Sequence, residues 1–236
     1  MNECPLVKFL TSWCSTSSLS STGKPVFLSI ICIRDLHLII YCLDDGVSSN
    51  YQWIRMKQLV HAPSFLIHYQ QWWSKNGPLT IGEIEFAVLI LRISSYAAQF
   101  LPSPSHTIDR IGGLCLPDIR NTCNEVSDEL AKPCVTLDWK GSLVRVQHLL
   151  FAALRSSCEG RTDQLWEGTA AACQAAQKAG IHRDSSDPGN HSWELEKEIR
   201  RRVFCSLYIL DRYLHRNCYY ENITNTIYQK PLVQTT

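Results

Sequence analysis

The sequence contains no C-x-x-C pair, although it has 11 cysteines in 236 residues, and the closest two are Cys115 and Cys123. A cluster of six cysteine thiolates around two zinc ions needs two such clamps. The sequence therefore predicts no zinc centre of this kind. Cys158, Cys173 and Cys205 fall on predicted helices near buried faces, where a cysteine acts as a small apolar side chain. We expect free thiols in a reducing compartment rather than a disulfide scaffold.

Excess charge and long apolar runs are missing as well. The net charge is +1, whereas a nucleic-acid-binding domain usually shows a basic patch or a high pI. Two apolar stretches, residues 26–33 and 36–43, are separated by Arg34 and Asp35. Neither reaches the roughly 20 residues that span a bilayer, and no basic region followed by an apolar run marks a targeting peptide. We expect no membrane association.

The motifs of common catalytic sites are absent too. There is no G-x-S-x-G elbow, H-E-x-x-H pair, P-loop or G-x-G-x-x-G turn, and the eight histidines are scattered. His182 and Asp184 could form a base with its orienting carboxylate. They follow a predicted helix, however, where side chains that bond the last helical carbonyls are the simpler interpretation. The sequence predicts that the chain is not an enzyme.

Helical periodicity dominates what is present, most clearly in residues 142–216. Apolar residues recur there at steps of three and four, which is typical of one face of an α-helix, and 45% of all residues are hydrophobic. We predict three helices, the last ending near Arg216. Ser142 and Ser192 are predicted N-caps, and Gly180 is the predicted left-handed residue after the second helix.

Upstream residues also carry helix signals. Thr80 and Glu83 form a predicted capping box at the start of a long apolar helix over residues 81–101, which we expect to be central. A short helix is predicted over residues 107–111. Lys132 and Pro133 are predicted to end the next helix, because proline lacks the N–H that the helix interior needs.

An aromatic face precedes the long helix. Its members are Phe65, Tyr69, Trp72 and Trp73. A ligand-pocket wall is one interpretation, but aromatic side chains at helical spacing usually fill a core. We therefore expect core packing.

The one basic run is Arg200, Arg201 and Arg202. It could contact DNA phosphates or an acidic partner. Consecutive helical residues spread around the helix, however, and Glu196 and Glu198 stand four residues before Arg200 and Arg202. A salt-bridged helix surface is the better interpretation.

Asp211 and Arg212 lie near the predicted end of the same helix. We expect them to pair with neighbouring helices. Arg155 or Arg161 and Glu167 are the candidate partners.

Two segments together resemble the regulatory middle domain of fungal zinc-cluster transcription factors. They are AGIHRD, residues 179–184, and the Glu-rich, Arg-rich and Tyr-x-Leu-Asp-Arg helix, residues 194–212. Ile181 replaces the usual leucine, and Phe204-Cys205 stands where the family mostly has aromatic residues. The motif positions are His182, Arg183, Asp184, Arg200, Arg201, Arg202, Tyr208, Asp211 and Arg212.

The resemblance implies an all-α fold, a multi-helix bundle or solenoid-like regulatory domain that is incomplete at its C-terminal end. Residues 51–216 would form this partial domain, residues 1–50 a divergent or disordered extension, and residues 217–236 an unrelated polar tail.

It also implies a nuclear role in DNA-templated transcription. In the family, DNA is bound through a separate N-terminal zinc cluster, which is absent here, so no cofactor is expected in this chain. A homo- or heterodimer partner and a small-molecule effector are further partners that the family implies. The alternative function is an effector-binding or protein-interaction module without DNA binding.

Overall fold

The computed structural model describes residues 59–74, 80–99, 110–111, 114–183 and 191–228. For residues 73, 110, 111, 114, 191–193 and 217–228 it describes the backbone alone. The described part contains six helices and one small hairpin: α1 Ala62–Ser74, α2 Ile81–Ala97, β1 Arg110–Ile111, β2 Leu114–Cys115, α3 Leu116–Leu137, α4 Leu143–Cys158, α5 Thr162–Lys178 and α6 His191–Tyr228. The prediction of an all-α fold is confirmed.

Helix α2 lies at the centre of the fold. Thr80 and Glu83 form the predicted capping box, in which the Thr80 side chain accepts from the Glu83 N–H and the Glu83 carboxylate accepts from the Thr80 N–H. Every residue from Glu85 to Ala97 is buried, because α3 packs on one side of the helix and α4 on another. A helix that is apolar around its whole circumference belongs in such a position. It ends at Ala97, earlier than the predicted residue 101.

The aromatic residues of α1 pack against the start of α2. The Phe65 ring lies 5.3 Å from the ring of Phe86, and Trp72 donates its indole N–H to the Glu83 carbonyl at 3.2 Å. Phe65 and Trp72 are buried. Core packing is confirmed for these two residues, and the side chain of Trp73 lies outside the described residues.

Two predicted elements upstream of α4 are wrong. Residues 110 and 111 pair as an extended strand with Leu114 and Cys115 instead of forming a helix, and residues 107–109 lie outside the described part. Pro133 lies inside α3, which continues to Leu137. The last turn of α3 stays helical because Cys134 is buried and because Arg145 donates to the carbonyls of Cys134 and Asp138.

Helices α4 and α5 pack closely as an antiparallel pair, and a glycine follows the end of each helix. Ser142 caps α4 as predicted, accepting from the Arg145 N–H at 3.0 Å. Gly160 and Gly180, with φ of 69° and 65°, follow the two helices. A positive φ costs glycine little, and the prediction for Gly180 is confirmed.

Helix α6 lies across α5 and α4. Its buried seam consists of Val203, Leu207, Leu210 and Leu214. The helix already includes His191, so Ser192 is not its N-cap. It runs to Tyr228, past the predicted end at Arg216.

Candidate functional site

The AGIHRD turn is a helix-ending motif of the backbone. Gly180 donates its N–H to the Gln177 carbonyl at 3.2 Å, and Ile181 donates to the Ala176 carbonyl at 3.1 Å. Ile181 is buried. These are the two hydrogen bonds and the apolar contact of a Schellman motif. The presence of Gly180 and Ile181 in this turn is therefore explained by the way in which α5 ends.

The polar residues of the same turn point away from the fold. His182 and Arg183 are exposed, and Arg183 Nε donates to His182 Nε2 at 3.3 Å. Contrary to the prediction, the hydrogen bonds that the structure describes at the last carbonyls of α5 come from backbone N–H groups and not from the side chains of His182 and Arg183. Asp184 lies outside the described residues.

The arginine run of α6 is paired along its own helix, as predicted. Arg200 contacts Glu196 at 2.7 Å, and Arg202 contacts Glu198 at 2.7 Å. Arg201 also contacts Glu198, at 2.8 Å. The hydrogen bond from Arg202 contributes most to lowering the pKa of the Glu198 carboxyl. Local carboxylates thus offset the positive charge of the run.

The ring and ion-pair contacts that the structure describes for Tyr208, Asp211 and Arg212 lie within α6, although burial, aided by the charge of Asp211, raises the pKa of Cys173 in α5. The Arg212 guanidinium lies 5.2 Å from the centre of the Tyr208 ring, and Asp211 lies 3.6 Å from His215.

The partners predicted for Asp211 and Arg212 are therefore wrong. Arg155 and Arg161 both contact Glu159, at the end of α4.

A buried ion pair that sequence reasoning missed joins three helices. Glu85 in α2 pairs with Arg145 in α4, and both side chains are almost fully buried. The same guanidinium donates to the carbonyls of Cys134 and Asp138 at the end of α3. Ser142 donates its hydroxyl to Glu85 at 2.5 Å. The carboxylate thus holds the arginine that closes α3.

A second buried arginine joins α2 to α3. Arg92 donates to the side chains of Asn124 at 2.7 Å and Asp128 at 2.5 Å. His148 in α4 is also buried, and its Nδ1 has no hydrogen-bond partner in the described part of the chain. Burial, aided by the charges of Arg92 and Arg145, lowers the pKa of His148 to about 3. His148 is therefore neutral at physiological pH.

One sequence signal could have revealed this buried network. Glu85 and Arg92 are seven residues apart in a segment that is otherwise almost wholly apolar. Such a segment is buried on all sides, and charged side chains there need partners. The identity of the partners, in α3 and α4, depends on packing that the sequence pattern does not show.

The described residues do not fit a zinc centre. No three histidine, cysteine, aspartate or glutamate side chains among them are grouped as metal ligands. Burial raises the pKa of the Cys123 thiol to about 12 and that of Cys134 to about 11, whereas zinc binds thiolates. The six cysteines whose side chains the structure describes are free thiols. Contrary to expectation, Cys205 is exposed.

Comparison with known families decides what this helical unit is. The family model described as fungal specific transcription factor domain matches residues 47–217, which is most of the chain. The chain belongs to this family.

Two curated relatives agree with membership in the fungal transcription factor family. The chain is 58% identical over 166 residues to "Transcription factor xilB" of Penicillium rubens (strain Wisconsin 54-1255), covering 68% of this chain and 25% of the relative. It is 39% identical over 171 residues to "Probable transcription factor sol4" of Alternaria solani, covering 72% of this chain and 29% of the relative. The chain thus spans less than a third of the length of either relative. No solved structure matches.

Two further expectations for this regulatory domain can be compared with its membership in the family. The names of both relatives are those of transcription factors, which supports the prediction that the chain is not an enzyme. Among the described helices, none combines the length and apolar character that crossing a bilayer requires.

Proposed function

We propose that this chain acts in the nucleus as a regulatory domain of transcription, and that DNA is contacted by a zinc cluster outside the described residues, in another segment or another chain. The match of the fungal transcription factor family over residues 47–217 carries the proposal. The matched segment makes up only 25% and 29% of the two relatives, which leaves ample room for a separate DNA-binding part.

The electrostatics of α6 support the second half of the proposal. Contact with several phosphates requires positive charges that are free to displace counterions. Arg200, Arg201 and Arg202 are each paired with a glutamate on the same helix, and the whole chain carries a net charge of only +1. This surface suits a solvated helix better than a DNA contact.

A binding experiment tests whether the chain contacts DNA by itself. Fluorescence anisotropy with labelled duplexes would be measured on the full chain and on a variant with Arg200, Arg201 and Arg202 all replaced by alanine. We expect the same weak, nonspecific binding from both proteins at physiological salt. Sequence-specific binding by the wild-type chain, lost in the alanine variant, would contradict the proposal.

A tethering experiment tests the regulatory role. The full chain would be fused between a heterologous DNA-binding domain and an activation domain, and reporter output compared with the fusion lacking the chain. We expect the chain to change the output. Arg145→Ala, which breaks the buried network, should return the output towards that of the chainless fusion at equal protein level. Equal output from all three fusions would count against regulation by this chain.

A further inference from the structure

We propose that the exposed end of α3 and the connector that follows it, residues 138–142, form a docking surface for an acidic, apolar peptide segment of a partner protein. This surface, called the α3 end patch, consists of Val135, Leu137, Trp139, Lys140 and Lys178. The inference concerns the binding of a peptide and does not depend on the proposed role in transcription.

The first observation is a cluster of exposed apolar side chains. Trp139, Leu137 and Val135 are exposed by 72%, 68% and 58%, which makes them the three most exposed large apolar side chains that the structure describes. Single exposed apolar residues are common on protein surfaces, but these three follow one another closely along the chain. A cluster of this kind is typical of an interaction site, and tryptophan is enriched among the residues that dominate binding energy.

The second observation is the fixed backbone beneath this cluster. Helix α3 continues for a turn beyond Pro133, and Arg145 donates to the carbonyls of Cys134 and Asp138 at its end. The guanidinium is held in turn by the buried Glu85. A surface that is already ordered loses little conformational entropy on binding. The buried network therefore prepares the exposed end of α3 for a partner.

The third observation is the position of two unpaired lysines. Lys140 and Lys178 are exposed, and neither ammonium group has an ion-pair partner in the described part of the chain. A Cβ atom added at Gly141 would lie 3.9 Å from the carbonyl oxygen of Ala175. The connector therefore runs beside the last turn of α5, which carries Lys178. Both lysines thus lie at the same end of the fold as the apolar cluster.

The other charges around this end of the fold leave the two lysines unmatched. Asp138, the carboxylate of the connector, lies 3.7 Å from Arg145, and Lys132 is paired with Glu129. The local excess of charge is therefore positive. It differs from the arginine run of α6, in which each side chain contacts a glutamate of the same helix. Charge complementarity favours a partner that carries carboxylates beside its apolar residues.

Two lysines are too few for recognition of a nucleic acid or a membrane. Contact with a duplex neutralises several phosphates, and recognition of anionic lipids typically uses roughly four to eight clustered basic residues. Val135 and Leu137 are aliphatic and offer no aromatic face on which a base could stack. An acidic peptide that presents leucine or phenylalanine between its carboxylates matches both the apolar and the basic members of the patch.

A binding experiment with the full chain tests the apolar anchor. The probe is a short fluorescent peptide in which aspartate alternates with leucine and phenylalanine, and fluorescence anisotropy measures its dissociation constant. Trp139→Ala should weaken binding by about tenfold or more. Tyr208→Ala, which removes another exposed aromatic side chain, from α6, is the matched control and should leave the dissociation constant unchanged. Circular dichroism verifies that both variants keep their helical content.

Charge reversal tests the role of the lysines. Lys140→Glu and Lys178→Glu should each weaken binding of the same peptide by about threefold to tenfold, and the wild-type affinity should fall as the salt concentration is raised. Arg201→Glu, a reversal at an exposed position of α6, is the control and should keep the wild-type affinity. A peptide with lysine in place of each aspartate should not bind.

Several results would overturn the proposal. One is a probe peptide that does not bind the wild-type chain at concentrations up to about 1 mM, and another is binding that is insensitive to Trp139→Ala and to both lysine reversals. Equal binding of the lysine peptide would show unspecific adhesion to apolar side chains. Tighter, Trp139-dependent binding of duplex DNA or of phosphatidylserine vesicles would assign the patch to a nucleic acid or a membrane instead.

Discussion

At the scale of single residues, the largest energetic effect should come from the buried pair of Glu85 and Arg145. Replacement of Arg145 by alanine leaves the Glu85 carboxylate buried without its partner and frees two carbonyls at the end of α3. We expect the free energy of unfolding to fall by about 3–5 kcal/mol. Urea denaturation followed by circular dichroism measures the loss.

The controls separate burial from charge in the Arg145 experiment. Arg202→Ala removes an exposed ion pair and should lower stability far less than Arg145→Ala does. Replacing both members, Glu85 by leucine and Arg145 by methionine, should recover much of the loss, because no unpaired charge remains. If Arg145→Ala and Arg202→Ala lower the free energy of unfolding equally, burial does not make the Glu85–Arg145 pair more important than the exposed pair.

His148 should make stability depend on pH between neutrality and the acid range. Its pKa is about 3 in the folded chain and about 6.5 when unfolded. Below pH 6.5 the unfolded chain binds a proton that the folded chain does not. The contribution of His148 to the free energy of unfolding is therefore fully present above that pH and decreases as the pH falls towards 3. We expect a slope of about 1.4 kcal/mol per pH unit across that window.

Urea titrations between pH 5 and 7.5 measure the contribution of His148. His148→Leu removes the titrating group. The substitution breaks no hydrogen bond of the His148 Nδ1 atom that the structure describes. The slope should flatten in this variant. His182→Gln alters an exposed histidine and should keep the wild-type slope. Equal slopes for wild type and His148→Leu would mean that another group is responsible.

At the scale of elements, the contact between α4 and α5 depends on a glycine. A methyl group added at Gly168 would lie 3.2 Å from the Ala153 Cβ, which leaves no room for a larger side chain. Gly168→Leu should therefore cost about 1–3 kcal/mol through overpacking, measured as a lowered urea midpoint. Gly82→Ala is the control, because nothing lies within 4 Å of the added methyl. It should be neutral or stabilising by about 0.5 kcal/mol.

The same elements show what the sequence could and could not predict. Thr80, Ser142 and Gly180 were predictable because caps and left-handed turns depend on neighbours along the chain. Pro133 was misjudged, because α3 continues past it with the help of Arg145, which lies in the next helix.

The candidate site shows the same division. The Glu196–Arg200 and Glu198–Arg202 pairs followed from helical spacing. The prediction for Asp211 and Arg212 was wrong because it looked to other helices, whereas the contacts that the structure describes, to His215 and Tyr208, also follow helical spacing within α6. Roles for the motif residues beyond these contacts stay predictions.

At the scale of the whole molecule, stability should be concentrated around α2. Its residues from Glu85 to Ala97 are buried between α3 and α4, and Glu85 and Arg92 tie it to both helices. Helix α1 has an exposed side that includes Ile67. We expect amides of α2 to exchange with deuterium only on global unfolding, and those of α1 through local opening.

Hydrogen exchange followed by mass spectrometry measures this difference. Peptides from residues 85–97 should exchange at least about tenfold more slowly than those from residues 62–74, a gap of about 1.4 kcal/mol. Arg145→Ala should speed exchange in α2 by the factor that corresponds to its loss in urea stability, because both report the same global opening. Exchange in α1 should respond less, since local opening of that helix does not require Arg145 to release Glu85. Equal exchange in α1 and α2 would instead indicate one cooperative unit without a privileged centre.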